Sequence, residues 1–288
     1  SPRRLVPGQD ERRQPGREGL DALPRSMHFY RQSLHFLGGM GIIVLAVAVL
    51  PMLRIGGAQL FRAESSGPVK DSRLTPRIAE TAKALWLVYL GLNIACALAY
   101  WMGGMGLFDA VTHAFATVAT GGFANYDASF GAFDSALLET IAIVFMFLGG
   151  VNFGLHFIAW RRASAHHYFS DPETRAFLGI LVGLSLALAL NLWLTGSFDL
   201  IDSLRHATFQ LVSNMTTTGF TTVGFIDWPG FAPLALILVG FIGGCSGSTS
   251  GGIKIVRIVI LFKQGWREIM QLVHPRGRFI VKLGELSV

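Results

Sequence analysis

Charged residues are scarce in this sequence. Asp, Glu, Lys and Arg make up 15% of its 288 residues, whereas a soluble globular domain carries about 25%. Hydrophobic residues make up 51%, and the mean hydropathy is +0.49. The uncharged runs at 84–101, 140–160 and 176–196 reach the roughly 18 to 20 residues that cross a bilayer. The composition excludes an ordinary soluble domain and predicts a multi-pass membrane protein.

Cysteine is also rare. Cys96 and Cys245 both lie in apolar segments, without a paired spacing or a neighbouring histidine. Disulfide frameworks and zinc sites need several such residues at short spacings. We therefore expect no disulfide, no bound metal cofactor and no other cofactor in this chain.

Positive charge is distributed as in a membrane protein. Lys and Arg lie between the apolar runs instead of forming one basic face, so nucleic acid is not an expected partner. Six of them fall within Arg54–Lys83 and three within Arg161–Arg175. Met102–Ser135 has none, and Thr195–Phe231 has only Arg205. Because positively charged loops stay in the cytoplasm, the first two segments are predicted to be cytoplasmic and the last two external.

Two apolar segments are too short to cross the membrane. Leu107–Ala119 and Ser203–Met215 have 13 residues each, which gives a helix of about 20 Å against a hydrocarbon core of about 30 Å. Re-entrant helices have this length, and so do interfacial or simply buried helices. Length alone leaves these alternatives open.

An internal repeat favours re-entrant helices. Each short segment leads into a string of the form Thr-x-Gly-Phe, first at Thr120–Phe123 and again at Thr217–Phe220. A second string, Phe-Leu/Ile-Gly-Gly, recurs at 36–39, 147–150 and 241–244, each time within a long apolar segment. The repeated unit is therefore a helix, a short helix, Thr-x-Gly-Phe and a final helix.

The repeat divides the chain into five predicted parts. They are a disordered or atypical N-terminus at 1–30, the last helix of a first unit at 31–55, a second unit at 77–160, a third unit with a broken last helix at 173–263, and a cytoplasmic connector at 264–288. The first unit is expected to be present only as its last helix.

The Thr-x-Gly-Phe strings suit an ion filter. Carbonyl oxygens of irregular backbone can replace the water around a cation, and membranes tolerate such backbone only where it lines a cavity. An ordinary Thr/Gly turn would explain one copy, but two copies at matching positions favour the filter. The predicted ion-binding residues are Thr120, Gly121, Gly122, Phe123, Thr217, Thr218, Gly219 and Phe220.

The last helix of the third unit is interrupted by a stretch rich in Gly and Ser. This Gly/Ser loop consists of Gly243, Gly244, Cys245, Ser246, Gly247, Ser248, Thr249, Ser250, Gly251 and Gly252. Such a stretch does not stay helical, and its backbone must face protein or water. It predicts a movable gate or, alternatively, a static kink that lets helices approach closely. It fits neither a phosphate-binding loop nor a nucleophile elbow, so no enzyme is expected.

Several long strings carry a family resemblance. HFLGGMGIIVLAVAVLPMLRIGG, HAFATVATGGFANYDAS, TTTGFTT and GGCSGSTSGGIKIVRI are the most specific of them. Together they resemble the Trk-type potassium-uptake family, within the superfamily that also holds the Ktr and HKT transporters. The resemblance runs from about Gly19 to Val288.

The resemblance implies four helix–pore loop–helix units around one pore, with one filter glycine per unit and K⁺ at the filter as the only metal. It also implies a homodimer, a cytoplasmic nucleotide-binding regulatory subunit and a place in the bacterial inner membrane. The two Thr-x-Gly-Phe strings match the filters of the second and third units, and the Gly/Ser loop matches the gating loop. The first pore loop and the whole fourth unit are lacking.

We therefore predict an all-α, multi-pass membrane protein with re-entrant pore helices that carries K⁺ past backbone carbonyls without covalent chemistry. The lipid bilayer and K⁺ are its expected partners. A Na⁺-selective or Na⁺-coupled relative is one alternative, and a non-conducting fragment or interaction subunit is another.

Overall fold

The computed structural model describes residues 19–44, 78–274, 282–283 and 286–287, and most of these are helical. The helices are α1 (Arg25–Val44), α2 (Ile78–Met102), α3 (Leu107–Val118), α4 (Ala136–Gly150), α5 (Phe153–Arg161), α6 (His166–Ser170), α7 (Pro172–Leu194), α8 (Leu200–Met215), α9 (Ala232–Ile242) and α10 (Ile255–Val273). Short 3₁₀ helices occur at Leu20–Ala22 and Ser129–Phe133. The strands β1 (Lys282–Leu283) and β2 (Leu286–Ser287) form one small antiparallel pair.

Membrane-length helices are present, as predicted. Within the described ranges, Ala82–Met102 of α2 and all of α7 are long and apolar enough to cross a bilayer. α4 and α5 together meet the same criterion but are bent by 99° where they join. The all-α membrane fold predicted from the sequence is confirmed.

α7 shows how the apolar sequence divides between protein and lipid. Its buried positions include Phe177, Leu181, Leu188 and Leu192. Its exposed positions include Leu178, Val182, Leu186 and Leu190, which follow one another at intervals of one helical turn. A helix that is apolar all round suits burial in a membrane, where the exposed stripe meets lipid instead of water.

The two short helices differ slightly from their predicted bounds. α3 ends at Val118, close to the prediction, but α8 begins at Leu200 and not at Ser203. Its extra turn follows from Asp199, whose carboxylate caps the helix by accepting from the Asp202 N–H at 2.9 Å. The 16 residues of α8 still make only about 24 Å of helix, too short to cross the bilayer.

The N-terminal segment is more ordered than predicted. α1 begins at Arg25, which lies within the segment 1–30 that was predicted to be a disordered or atypical N-terminus. The Leu20 N–H donates to Asp127 Oδ1 at 2.8 Å, and the Asp127 N–H donates to Asp21 Oδ1 at 3.1 Å. These long-range contacts order residues that lack apolar periodicity of their own. Residues 1–18 and 45–55 lie outside the described ranges.

The uncharged run 140–160 does not lie in one helix. α4 ends at Gly150 and α5 begins at Phe153 after the bend. Asn152 caps α5, because its side-chain oxygen accepts from the N–H groups of Gly154 and Leu155 at 2.7 and 3.2 Å. Two glycines, which stabilise a helix poorly, and the cap at Asn152 account for this break.

The chain is not helical through the Gly/Ser loop. α9 ends at Ile242 and α10 begins at Ile255. α10 then continues to Val273, ten residues into the segment 264–288 that was predicted to be a connector. A helical contact from Gln264 Nε2 to Glu268 Oε1, at 3.0 Å, lies within this extension.

Candidate functional site

The two short helices end with the same hydrogen bonds. The Gly121 N–H donates to the Ala116 carbonyl at 2.8 Å, and the Thr218 N–H donates to the Ser213 carbonyl at 2.9 Å. Each bond spans five residues, as in the Schellman motif that closes many helices. The internal repeat seen in the sequence therefore includes the way in which each short helix leads into its Thr-x-Gly-Phe string.

The two strings also share an unusual backbone conformation. Thr120 and Thr217 have φ angles of 51° and 57°, and Gly122 and Gly219 have φ angles of 73° and 88°. Positive φ is rare for a β-branched residue and costs about 1 to 3 kcal/mol. Two threonines held this way at matching positions indicate that the surrounding structure imposes the conformation.

The strings lie side by side. A Cβ atom added at Gly122 would overlap the carbonyl oxygen of Thr218 and lie 3.3 Å from the carbonyl carbon of Gly219. Only glycine fits at position 122, because the obstacle is backbone. Gly219 has open space around its own Cβ position. The structure thus places the first string against the second at Gly122 and Thr218.

The two phenylalanines of the strings lie in different surroundings. Phe220 is fully buried, and its ring centroid is 5.3 Å from that of Phe130. Phe123 is 49% exposed and lies against α1, where its ring centroid is 4.2 Å from that of His35. Gln32 of α1 also donates to the Phe123 carbonyl at 2.5 Å. The repeat in sequence is therefore not an exact repeat in packing.

Side chains of α8 hold the backbone of the second string and of the residues after it. The Ser213 hydroxyl donates to the Phe220 carbonyl at 2.7 Å, and Gln210 Nε2 donates to the Val223 carbonyl at 2.8 Å. Both side chains are fully buried. Sequence reasoning missed both residues, since one polar residue in an amphipathic helix carries no distinctive signal.

Side chains of α3 bind the side chains of residues that follow the first string. Asn125 Nδ2 donates to Asp109 Oδ1 and lies close to Thr112 Oγ1, both at 2.8 Å. The Tyr126 hydroxyl donates to Asp109 Oδ2 at 3.0 Å. Asp109 is therefore engaged in holding the chain that leaves the first string.

The Gly/Ser loop leaves and rejoins the path of the helix at one point. The Lys254 N–H donates to the Ile242 carbonyl at 2.9 Å. A Cβ added at Gly243 would lie 2.9 Å from the Cα of Gly252, and both glycines have positive φ. The two ends of the loop are therefore in contact with each other.

The Gly/Ser loop reaches the end of the first short helix and the second Thr-x-Gly-Phe string. The Thr249 hydroxyl lies 2.9 Å from the Val118 carbonyl and 3.1 Å from the Gly149 carbonyl. The Gly251 N–H donates to the Thr217 hydroxyl at 2.7 Å. Val118 and Thr217 lie just before or within the strings, so the loop contacts the beginning of each.

The Gly/Ser loop is also joined to the bend between α4 and α5. The Cys245 N–H donates to the Gly150 carbonyl at 2.8 Å, and Asn152 Nδ2 donates to the Ser246 carbonyl at 2.5 Å. The Ser246 N–H donates to Glu173 Oε1 at 2.7 Å. Asn152 and Glu173 were not predicted as site residues, because their role depends on a loop about 70 to 95 residues away in the sequence.

Known proteins resemble this chain over most of its length. Residues 17–283 match the family model described as TrkH, cation transport protein. The Trk system potassium uptake protein TrkH of Halomonas elongata is 52% identical over 270 residues, which cover 94% of this chain and 56% of that protein. TrkH of Escherichia coli K12 is 52% identical over 271 residues, with the same coverage of 94% and 56%.

A solved structure agrees with these relatives. The crystal structure of the potassium transporter TrkH from Vibrio parahaemolyticus matches with a TM-score of 0.82 and 49% identity. The match covers 94% of this chain and 55% of that one. The chain thus spans a little over half the length of the proteins that it matches.

Proposed function

Because this chain belongs to the TrkH family of cation transport proteins, we propose that it forms part of the pore of a potassium-uptake transporter. It is an integral membrane protein of the bacterial inner membrane and, as predicted, not an enzyme. The observation that carries the proposal is the pair of strings, which share one backbone conformation and meet at Gly122 and Thr218.

The two strings are the proposed K⁺ filter. Irregular backbone that lines a cavity can offer carbonyl oxygens to a dehydrated cation. Two features support this role: Gly122 lies against the Thr218 carbonyl, and side chains of α3 and α8 hold the chain that leaves each string. The proposed ion-binding residues remain Thr120, Gly121, Gly122, Phe123, Thr217, Thr218, Gly219 and Phe220.

The Gly/Ser loop is the proposed gate at the inner end of this filter. Its contacts with Val118 and Thr217 support this position. Polar contacts with α3, α5 and α7 hold it in place, and a few hydrogen bonds worth about 1 kcal/mol each can be exchanged for water when the loop moves.

The assembly of the transporter also belongs to the proposal. The relatives' names refer to a Trk system, which supports further components. A homodimer and a cytoplasmic nucleotide-binding regulatory subunit are the components that we propose. Residues 77–160 and 173–263 would be two of the units around the pore, and 31–55 the last helix of another.

Ion flux tests the proposed function. The product of the whole gene, reconstituted in liposomes, should take up ⁸⁶Rb⁺ as a tracer for K⁺, with little competition from Na⁺. Rb⁺ uptake that requires external Na⁺ would instead identify a Na⁺-coupled relative. Absence of Rb⁺ flux from a correctly inserted protein would contradict the proposal and favour an interaction subunit.

Thiol labelling tests the orientation in the membrane. Cysteines placed at the exposed positions Ala128 and Asp227 should react with an impermeant reagent from outside, because their segments have few cations. A cysteine at exposed Ala165 is the cytoplasmic control. Cys96 and Cys245 are fully buried and should give little background. Labelling of the first two positions only from the cytoplasm would overturn both the orientation and the filter.

A further inference from the structure

An ion pair joins the second and third units of the proposed repeat. Arg205 of α8 meets Glu139 of α4 through two parallel bonds of 2.7 Å, from Nε to Oε2 and from Nη2 to Oε1. The Glu139 side chain is 3% exposed and that of Arg205 is 22% exposed. Asp134 also lies 3.5 Å from Arg205 but is 93% exposed. The strong contact is therefore the sheltered, bidentate one.

The arginine lies in an unexpected place for a cation-conducting protein. It is the only Lys or Arg in the segment Thr195–Phe231, which is proposed to face outward around the filter. An uncompensated positive charge there would repel cations that approach the pore. Glu139 cancels this charge, so Arg205 can have a structural use near the pore without hindering K⁺.

The helix that carries Arg205 also holds the second string. One residue further along α8, His206 Nδ1 lies 3.4 Å from the Thr222 hydroxyl. Ser213 and Gln210 of the same helix bind the carbonyls of Phe220 and Val223, as described above. A shift of α8 relative to α4 would therefore carry the second string with it.

The boundary between the first and second units has a counterpart of this contact. When the Thr-x-Gly-Phe strings are superposed, Phe108 takes the place of Arg205. When the Phe-x-Gly-Gly strings are superposed, His28 takes the place of Glu139. The guanidinium of Arg25, one turn before His28, lies 5.6 Å from the Phe108 ring centroid. Each short helix thus contacts the preceding unit's last helix from the same position of the short helix, but the partner differs by one turn and in chemistry.

We propose that Arg205 and Glu139 form a clamp between units that positions α8 and thereby sets the separation of the two strings. Gly122 and the Thr218 carbonyl are already in contact, so a small displacement of α8 changes how their oxygens surround an ion. Arg205 and Glu139 are then positioning residues for K⁺ selection. This inference rests on the proposed filter.

The test compares variants that differ in the clamp alone. R205K keeps both charges but loses the two parallel bonds, and E139Q/R205Q removes both charges together, so neither leaves a buried charge unpaired. D134N is the matched control, since it removes only the exposed partner of the same arginine. The measurement is the ratio of Rb⁺ to Na⁺ flux through the product of the whole gene in liposomes.

We expect R205K and E139Q/R205Q to lower the flux ratio by roughly threefold or more, in line with the effects of residues that act through a packed network. The D134N ratio should equal that of the parent. A parental ratio in both clamp variants would overturn the inference. Failure of both variants to insert would also overturn it, because the pair would then be needed for folding and not for selection.

The flux ratio of the parent protein distinguishes a failure of this inference from a failure of the proposed function. If the parent does not select Rb⁺ over Na⁺, the proposed filter fails first. If the parent is selective and the clamp variants are equally selective, only the clamp fails.

Discussion

Replacing Gly122 by serine should lower the ratio of K⁺ to Na⁺ flux far more than replacing Gly219 by serine. Both glycines have positive φ, which costs another residue about 1 to 2 kcal/mol. Only at Gly122 would the new Cβ also overlap a backbone carbonyl, that of Thr218. The carbonyl must move, and in the proposed filter it is a ligand of the ion.

We expect the Gly122→Ser ratio to fall by about tenfold or more, which corresponds to roughly 1.4 kcal/mol of lost discrimination. Gly219→Ser is the matched control for backbone strain without the overlap, and its smaller fall should still be measurable. Tracer flux of ⁸⁶Rb⁺ and ²²Na⁺ in the same liposomes gives both ratios. Parental ratios in both variants, with normal insertion, would contradict the assignment of the strings as a filter.

Deleting Ser246 to Gly251 should raise basal K⁺ flux. The deletion removes the middle of the Gly/Ser loop, including Thr249, but leaves Gly243 and Gly252, which are in contact at its two ends. At least four hydrogen bonds with α3, α4, α5 and α7 are lost. At about 1 kcal/mol each, they should bias a closed state strongly, so we expect a rise of roughly tenfold or more.

The deletion should also make flux less dependent on the proposed regulatory subunit, since that subunit would act by shifting the same equilibrium. Thr249→Val is the graded control, because it removes only the hydroxyl contacts near Val118 and Gly149 and should raise flux less. A deletion protein that is monodisperse and inserted yet conducts no more than the parent would favour the static kink. Poor folding with reduced flux would favour it as well.

The confirmed predictions rest on local patterns. Lipid requires every backbone group to be hydrogen-bonded within the helix. A spanning segment is therefore one long apolar run, which can be recognised from the sequence alone. The sequence likewise shows that Leu107–Ala119 is too short to cross the bilayer. Glycines that interrupt a run mark the break after Ile242, since Gly stabilises a helix poorly. The internal repeat was found by comparing the sequence with itself.

Other features were missed because the local pattern is ambiguous. Glycines at 149–150 could have been a close helix contact, and only the structure showed that Asn152 starts a new helix after a 99° bend. α8 gained a turn from the cap at Asp199, and α1 begins early because its neighbours bind Asp127. Each of these boundaries depends on one side chain, and the same residue type is equally common in loops, so the sequence does not show where the helix begins.

The sequence by itself determined the membrane class, the repeated unit, the two Thr-x-Gly-Phe strings and the position of the Gly/Ser loop. Only the tertiary structure decided that Gly122 lies against Thr218, that Phe123 and Phe220 have different surroundings, and that Arg205 pairs with Glu139. Residues that meet in each of these contacts are separated by 66 residues or more. No periodicity reaches that far, because side-chain spacing along a helix says which face a residue lies on, whereas the packing of helices decides what that face meets.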